Sequence, residues 1–326
     1  MKIPLVLLGL GHIGRRHAQI VQKLNEYELV ATIDPLSPGL ENIPHFDEWE
    51  SFLASGIHAS VASIATPNHL HAPLAEKAMR SGLHVIVEKP LAIQVDDAQK
   101  LQEVSHQTKK EIFLVMQNRF NPIVEWLKDV IDHQKLGKVF MVQVNCFWNR
   151  GTSYYQPNSW KGKKDQDGGV LLTQFSHYLD ILYWLLGSWE VTFIDELNVA
   201  HQGITEFNDT GLVGIKFANG AMGSFSYTTA TYQKNVESTL TILGEKGSIK
   251  LMGPYMDQLV YAHWEGNDAP PVCEVNPLTH PTQNVQDNHR LFYQKVAFAI
   301  QNNASSNISV EDGKAILQLA HLMTKR

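Results

Sequence analysis

Cysteine is almost missing from this chain. Cys146 and Cys273 are the only two in 326 residues, so thiols alone cannot build a disulfide framework or a multi-thiolate metal site. A reducing, cytoplasmic setting is the expectation. Long hydrophobic runs are missing too: no stretch reaches the roughly 18 uninterrupted apolar residues of a membrane span. The most apolar segment, Tyr178 to Trp189, is broken by Asp180, Gly187 and Ser188. The apolar run Ile3 to Leu8 is shorter than the core of a secretory signal, about 7–15 residues. Arg15 and Arg16 follow it, whereas a twin-arginine signal would precede it, so it reads as a buried strand. Excess positive charge is absent as well. Lys and Arg number 27 against 33 Asp and Glu, a net −6, and without basic blocks the chain lacks the footprint of a nucleic-acid binder. No internal repeat or low-complexity tract occurs.

What remains is ordinary globular material, 44% hydrophobic and 18% charged, enough for about two domains. In the first third, Ile3 to Leu8, Leu29 to Ile33, Ala59 to Ala65, His84 to Val87 and Ile112 to Met116 read as strands buried on both faces. Helical patterns alternate with them at Ile13 to Leu24, Phe46 to Ala54, Leu70 to Ser81 and Val95 to His106. This order predicts a Rossmann-like, doubly wound parallel sheet. Near Asn121-Pro122 the pattern changes to strands in succession: Val139 to Val144, Val191 to Val199, Leu212 to Phe217, Met222 to Thr229, Ser238 to Leu243 and Ser248 to Met252. The division is therefore 1–120 for the parallel-sheet domain and 121–326 for an open, mainly antiparallel sheet domain, an α/β plus α+β chain. Residues 266–286 read as a long loop, and Arg290 to Ile300 and Val310 to Met323 as closing helices that pack toward the first domain.

Gly9-Leu10-Gly11-His12-Ile13-Gly14 follows the first strand and opens the first helix. The first glycine allows a tight turn, the second lets backbone approach a diphosphate, and the third allows close packing while helix N–H groups face negative charge. His12 and Ile13 belong to this cofactor turn. Asp34 ends the second strand 20 positions after Gly14, where a carboxylate accepts from ribose hydroxyls and repels a 2′-phosphate. Pro35, Leu36 and Ser37 bring no cation, so NAD is favoured over NADP.

Two further segments sit at carboxyl ends of such strands, where ligands bind: Thr66-Pro67-Asn68 with His71 beyond it, and Glu88-Lys89-Pro90. With the glycine turn, these motifs resemble the Gfo/Idh/MocA family of nicotinamide-dependent oxidoreductases, over almost the whole chain. The resemblance implies cofactor contacts from Thr66, Pro67, Asn68, His71, Glu88 and Gln117, and makes Lys89 the active-site lysine. An ammonium there stabilises the alkoxide that develops as hydride leaves carbon.

In the second domain, Gly168-Gly169 leads into a segment read as one helix, with Thr173, His177 and Asp180 at i, i+4 and i+7 on one face. Such a stripe suits either a satisfied core network or a site. The resemblance places a catalytic histidine at His177, and imidazole titrates in the range useful for taking a hydroxyl proton. Many family members carry aspartate where Thr173 stands, which leaves open whether Asp180 takes its place. Gln117-Asn118-Arg119-Phe120, Trp160-Lys161-Gly162 and Thr173-Gln174 look like the branch that oxidises nucleotide-linked N-acetylamino sugars or their uronates at C3. That branch more often has Arg at Lys161 and a third glycine at Asp167. Arg119 and Lys161 become candidates for anionic substrate groups; alternatively Arg119 ties the domain junction and Lys161 is a solvated loop residue.

Fifteen histidines invite a metal, especially His69-Leu70-His71, but no ligand spacing accompanies them and hydride transfer needs none. No metal is expected. The reading is thus a sugar dehydrogenase working with NAD, assembled as a homodimer or homotetramer through its second-domain sheet. Its rivals are a glycoside hydrolase using NAD transiently and a non-catalytic nucleotide sensor on the same fold.

Overall fold

The computed structural model describes residues 2–156, 159–266, 283–304, 306 and 308–324, with backbone alone for 283–287. The chain divides into two compact units, Met1–Gln117 with Gln286–Leu317 and Asn118–Val285 with Gln318–Arg326.

The first unit is built on six parallel strands. In chain order its elements are β1 (Ile3–Leu8), α1 (His12–Lys23), β2 (Tyr27–Ile33), β3 (His45–Phe46), α2 (Trp49–Ala54), β4 (Val61–Ile64), α3 (His71–Arg80), β5 (His84–Val87), α4 (Val95–Thr108) and β6 (Ile112–Leu114). The strand order is β3-β2-β1-β4-β5-β6, all pairs parallel, which is the doubly wound arrangement read from the alternating pattern. All four residues of β4 and nearly all of β1 and β5 are buried, as expected of a sheet covered on both faces. Phe46, read as helical, pairs in the edge strand β3 instead. The carboxyl ends of β1, β4 and β5 lead into the three motif segments.

The second unit carries α5 (Pro122–Asp132), β7 (Val139–Phe147), α6 (Lys164–Asp167), α7 (Val170–Thr173), α8 (Ser176–Leu186), β8 (Trp189–Leu197), β9 (Thr210–Phe217), β10 (Met222–Thr228), β11 (Glu237–Gly244), β12 (Gly247–Met252) and β13 (Gln258–Trp264). Seven strands run in the order β13-β12-β11-β7-β10-β9-β8. Every pair is antiparallel except β7 with β10. The sequence reading did not find α5, which Asn121 caps through Oδ1 on the Ile123 N–H at 3.0 Å with Pro122 at its first position, nor β13.

One expectation needs correction. The segment after Gly169 is two helices, not one: Gln174 and Phe175 leave regular helix geometry between α7 and α8, so Thr173 does not share a helix face with His177 and Asp180. The closing helices α9 (Gln283–Gln301) and α10 (Val310–Leu322) group with the first unit through residues 286–317, the domain toward which the sequence has them pack. Tyr27 donates to the Tyr293 carbonyl at 2.7 Å, and Gly313 lies so near Leu91 and Leu114 that a Cβ would stand 2.8 and 2.9 Å from their methyls. Most of the expected loop 266–286 lies outside the described residues; 283–286 open α9.

Candidate active site

Gly9 has φ +89°, and a Cβ on it would stand 2.6 Å from the Ala65 carbonyl oxygen, so only glycine fits between β1 and β4. A Cβ on Gly14 would overlap the Gly9 carbonyl oxygen. Gly11 differs: it is exposed and a Cβ there would meet nothing within 4 Å. It caps α1 without a side-chain hydrogen bond, which leaves the first-turn N–H groups for an anion. Asp34 frames the turn by accepting from the Leu10 N–H at 2.6 Å and the Leu36 N–H at 2.8 Å. The carboxylate stays half-exposed, with lone pairs left for hydroxyl donors. His12 is exposed and Ile13 half-buried beside it. These residues fit a dinucleotide: an open backbone cradle, a free helix terminus and a carboxylate acceptor.

The other two motif segments of this unit are tied together. His71, buried at the start of α3, places Nε2 3.0 Å from the Thr66 carbonyl oxygen and Nδ1 2.7 Å from that of Pro90. Burial holds its pKa below the ordinary value, although both carbonyls favour the protonated ring. Pro67 precedes the short turn Asn68–Leu70, in which Asn68 is buried. Glu88 accepts from the Lys89 N–H at 3.1 Å through Oε2 and meets His17 Nε2 at 3.0 Å through Oε1. His289 Nε2 lies 3.7 Å from the same oxygen. Burial opposes ionisation of Glu88, but the two imidazoles outweigh it and hold the carboxyl well below the usual range. Burial keeps His17 neutral by lowering its pKa. The tautomer with the proton on Nε2 completes the network: Ser63 donates to Tyr293 Oη (2.8 Å), Tyr293 to His17 Nδ1 (3.0 Å), and His17 to Glu88. His17, Glu88 and His289 are the one group of metal-ligating side-chain types that converges among the described residues; here their polar atoms serve this network. Lys89 is half-buried and Gln117, at the end of the unit, is buried.

In the second unit, Arg119 and Asp180 pair with each other. The guanidinium donates to both carboxylate oxygens, Nε at 3.0 Å and Nη2 at 2.6 Å, with side chains 5% and 0% exposed. A buried pair of this kind is a structural use of both charges. Thr173 donates to the Asp167 carbonyl at 2.9 Å and also to its carboxylate, and Asp167 Oδ2 accepts from the Gly162 N–H at 2.9 Å. The carboxylate near Thr173 is therefore Asp167. His177 sits half-buried in the first turn of α8. Gln174 accepts from Arg150 Nε at 2.6 Å and donates to Tyr154 Oη at 2.8 Å. Lys161 and Trp160 are half-buried on the preceding loop, Lys161 Nζ lying 3.9 Å from the centre of the Tyr154 ring.

Comparison with known proteins decides the lineage. Residues 3–116 match the oxidoreductase family model for an NAD-binding Rossmann fold, and residues 128–326 match the model for the C-terminal alpha/beta domain of that family. The chain belongs to the Gfo/Idh/MocA oxidoreductase family. It is 28% identical to levoglucosan dehydrogenase of Pseudarthrobacter phenanthrenivorans, over 69% of this chain and 62% of that protein, so the match spans less than two thirds of that relative. It is 26% identical to inositol 2-dehydrogenase of Rhizobium meliloti over 98% and 95% of the two chains. Among solved structures it resembles the WlbA dehydrogenase of Bordetella pertussis in complex with NADH and UDP-GlcNAcA, with a TM-score of 0.88 and 29% identity over 99% and 95% of the chains.

Within this Gfo/Idh/MocA chain, several residues that shape the site escaped the sequence reading. His17 stands three positions after Gly14, the one helical spacing that hinted at it. His289 and Tyr293, at i and i+4 on α9, come from the far end of the chain and carried no local signal. Asn118, read only as part of the Gln117 to Phe120 motif and given no role there, is 1% exposed, and neither atom of its side-chain amide has a hydrogen-bond partner among the described residues; buried amides of that kind are rare without a ligand or water. Arg150 is a further one, and only the fold brings it to Gln174.

Proposed function

We propose that this protein oxidises a secondary hydroxyl, at C3, of a nucleotide-linked sugar with NAD as hydride acceptor. Bound NAD supplies the electrophilic carbon that takes the hydride. The observation that carries the reading lies within the first unit: the open turn at Gly11 and the tethered Glu88-Lys89 segment lie at carboxyl ends of β1 and β5 in one parallel sheet, where such sheets bind ligands. Gly11 and the α1 terminus bind the diphosphate, and Asp34 accepts from the adenosine ribose. Thr66, Pro67, Asn68 and Gln117 border the cofactor.

The Lys89 ammonium stabilises negative charge as it grows on the substrate oxygen, and His177 accepts the hydroxyl proton. Glu88 holds the Lys89 backbone in place, and its network keeps a fixed anion beside that turn. The likeness to a dehydrogenase crystallised with NADH and UDP-GlcNAcA supports the nucleotide-sugar class.

A homo-oligomer completes the reading. One face of the second-unit sheet presents Met141, Phe193, Leu197, Leu212 and Met222, each 43–60% exposed, on neighbouring strands β7, β10, β9 and β8. An apolar face of this kind suits a second copy of the same sheet.

The test is an absorbance assay for NADH with UDP-GlcNAcA, UDP-GlcNAc and free sugars. Formation of NADH with a nucleotide sugar supports the proposal; reduction with free sugars alone contradicts the substrate class.

A further inference from the structure

Arg150 lies beyond the end of β7, fixed on every side except its charge. Its backbone N–H donates to the Thr229 carbonyl at 2.8 Å. Its carbonyl accepts from His201 Nε2 at 2.6 Å, while His201 Nδ1 lies 2.9 Å from Asp209. The guanidinium packs over the Trp148 ring at 4.8 Å and the Tyr154 ring at 5.4 Å. Gln174 accepts from Nε, and the Asn149 carbonyl accepts from Nη1 at 2.7 Å. Only neutral acceptors meet it, and it forms no ion pair among the described residues. Lys161 Nζ lies over the same Tyr154 ring at 3.9 Å and likewise forms no ion pair among the described residues. Asp167 is the carboxylate that Lys161 feels, but its oxygens accept from Gly162 and Thr173.

Two cations share one tyrosine ring, and mutual repulsion together with burial makes that arrangement costly without an anion. Burial lowers the pKa of Lys161; Asp167 opposes that shift and Arg150 adds to it. The fork of Arg150 suits a planar two-oxygen group, while Lys161 adds a point charge. We infer that Arg150, braced by Gln174, and Lys161, which shares the Tyr154 ring with it, form an oxyanion subsite for the carboxylate or phosphate of the sugar substrate. The inference rests on the proposed sugar-nucleotide reading and names Arg150, in place of Arg119, as the arginine that selects charged substrates.

Titration calorimetry with NADH present tests it, using UDP-GlcNAcA and UDP-GlcNAc as probes. The proteins are wild type, Arg150→Met and Lys161→Met, the last outside the packed core and each checked for an unchanged urea midpoint. Each variant should bind UDP-GlcNAcA about tenfold to a hundredfold more weakly, the range of one charge-assisted hydrogen bond. Loss confined to UDP-GlcNAcA assigns the carboxylate, and equal loss for both probes assigns the diphosphate; either result supports the subsite. Wild-type affinity in both variants overturns it, as does wild-type protein that binds neither probe. If the variants lose affinity while wild type forms no NADH from either probe, the subsite stands and the redox reading fails.

Discussion

Lys89 and Asp34 separate chemistry from cofactor choice. Lys89→Ala should bind NAD about as well as wild type yet turn over slower by orders of magnitude, since an oxyanion stabiliser acts on the transition state; equal turnover in an NADH assay contradicts its role. Asp34→Ala should weaken NAD and relax discrimination against NADP, measured as the ratio of kcat/KM values. Arg15 sharpens that expectation, because its Nη2 donates to Ser37 Oγ at 2.9 Å. A cation thus stands near the ribose end of the turn although none occurs at 35–37, and Arg15→Ala in the Asp34→Ala background should reduce the gained NADP activity. Arg119 and Asp180 are the contrasting case. Removing either charge alone strands the other in the interior and should destabilise the protein by about 3–5 kcal/mol. In urea denaturation, the apolar double replacement Arg119→Met with Asp180→Leu should recover most of that loss.

The elements around the glycine turn were legible because their causes are local. Apolar runs ending in glycine marked β1 and the opening of α1, and alternation marked most strands of the second sheet. Pro122 after Asn121 was seen as a boundary, while the helix it begins was not. The break between α7 and α8 was hidden for a different reason: neither glycine nor proline marks it, since Gln174 and Phe175 stand there, and the side-chain bonds of Thr173 to Asp167 beside it carry no local sequence signal. Likewise, the brace on Lys89 depends on His289 and Tyr293 returning from α9, which no periodicity reports. The turn itself offers a two-sided test. Gly14→Ala should unfold or severely destabilise the first unit, because the added methyl overlaps the Gly9 carbonyl. Gly11→Ala should fold with a melting temperature near wild type and lose NAD affinity, since its methyl projects only into the open cradle. A Gly11→Ala protein with unchanged NAD affinity contradicts the diphosphate assignment.

For the whole molecule, buried histidines set the response to acid. Burial holds the folded-state pKa values of His17 and His71 below the ordinary 6.5, so below about pH 6.5 the unfolded chain binds more protons and stability falls as pH falls. Glu88, held well below its ordinary 4.5, adds a second loss at more acid pH, below its unfolded value. Calorimetric melting between pH 8 and 5 should show the decline, and His17→Gln should flatten part of it; an unchanged slope contradicts the neutral, buried assignment. No helix among the described residues is long and apolar enough to cross a membrane, and the exposed apolar face of the second sheet is read as a subunit contact. Leu212→Asp with Met222→Glu should therefore shift the light-scattering mass toward the monomer. The most direct measurement follows the hydrogen itself: UDP-GlcNAcA deuterated at C3 is incubated with stoichiometric enzyme and NAD, and the released cofactor is weighed by mass spectrometry. Reduced cofactor carrying one deuterium, together with a 3-keto product, is the expected result; intact NAD with a cleaved glycosidic bond, or with unchanged substrate, contradicts the dehydrogenase account.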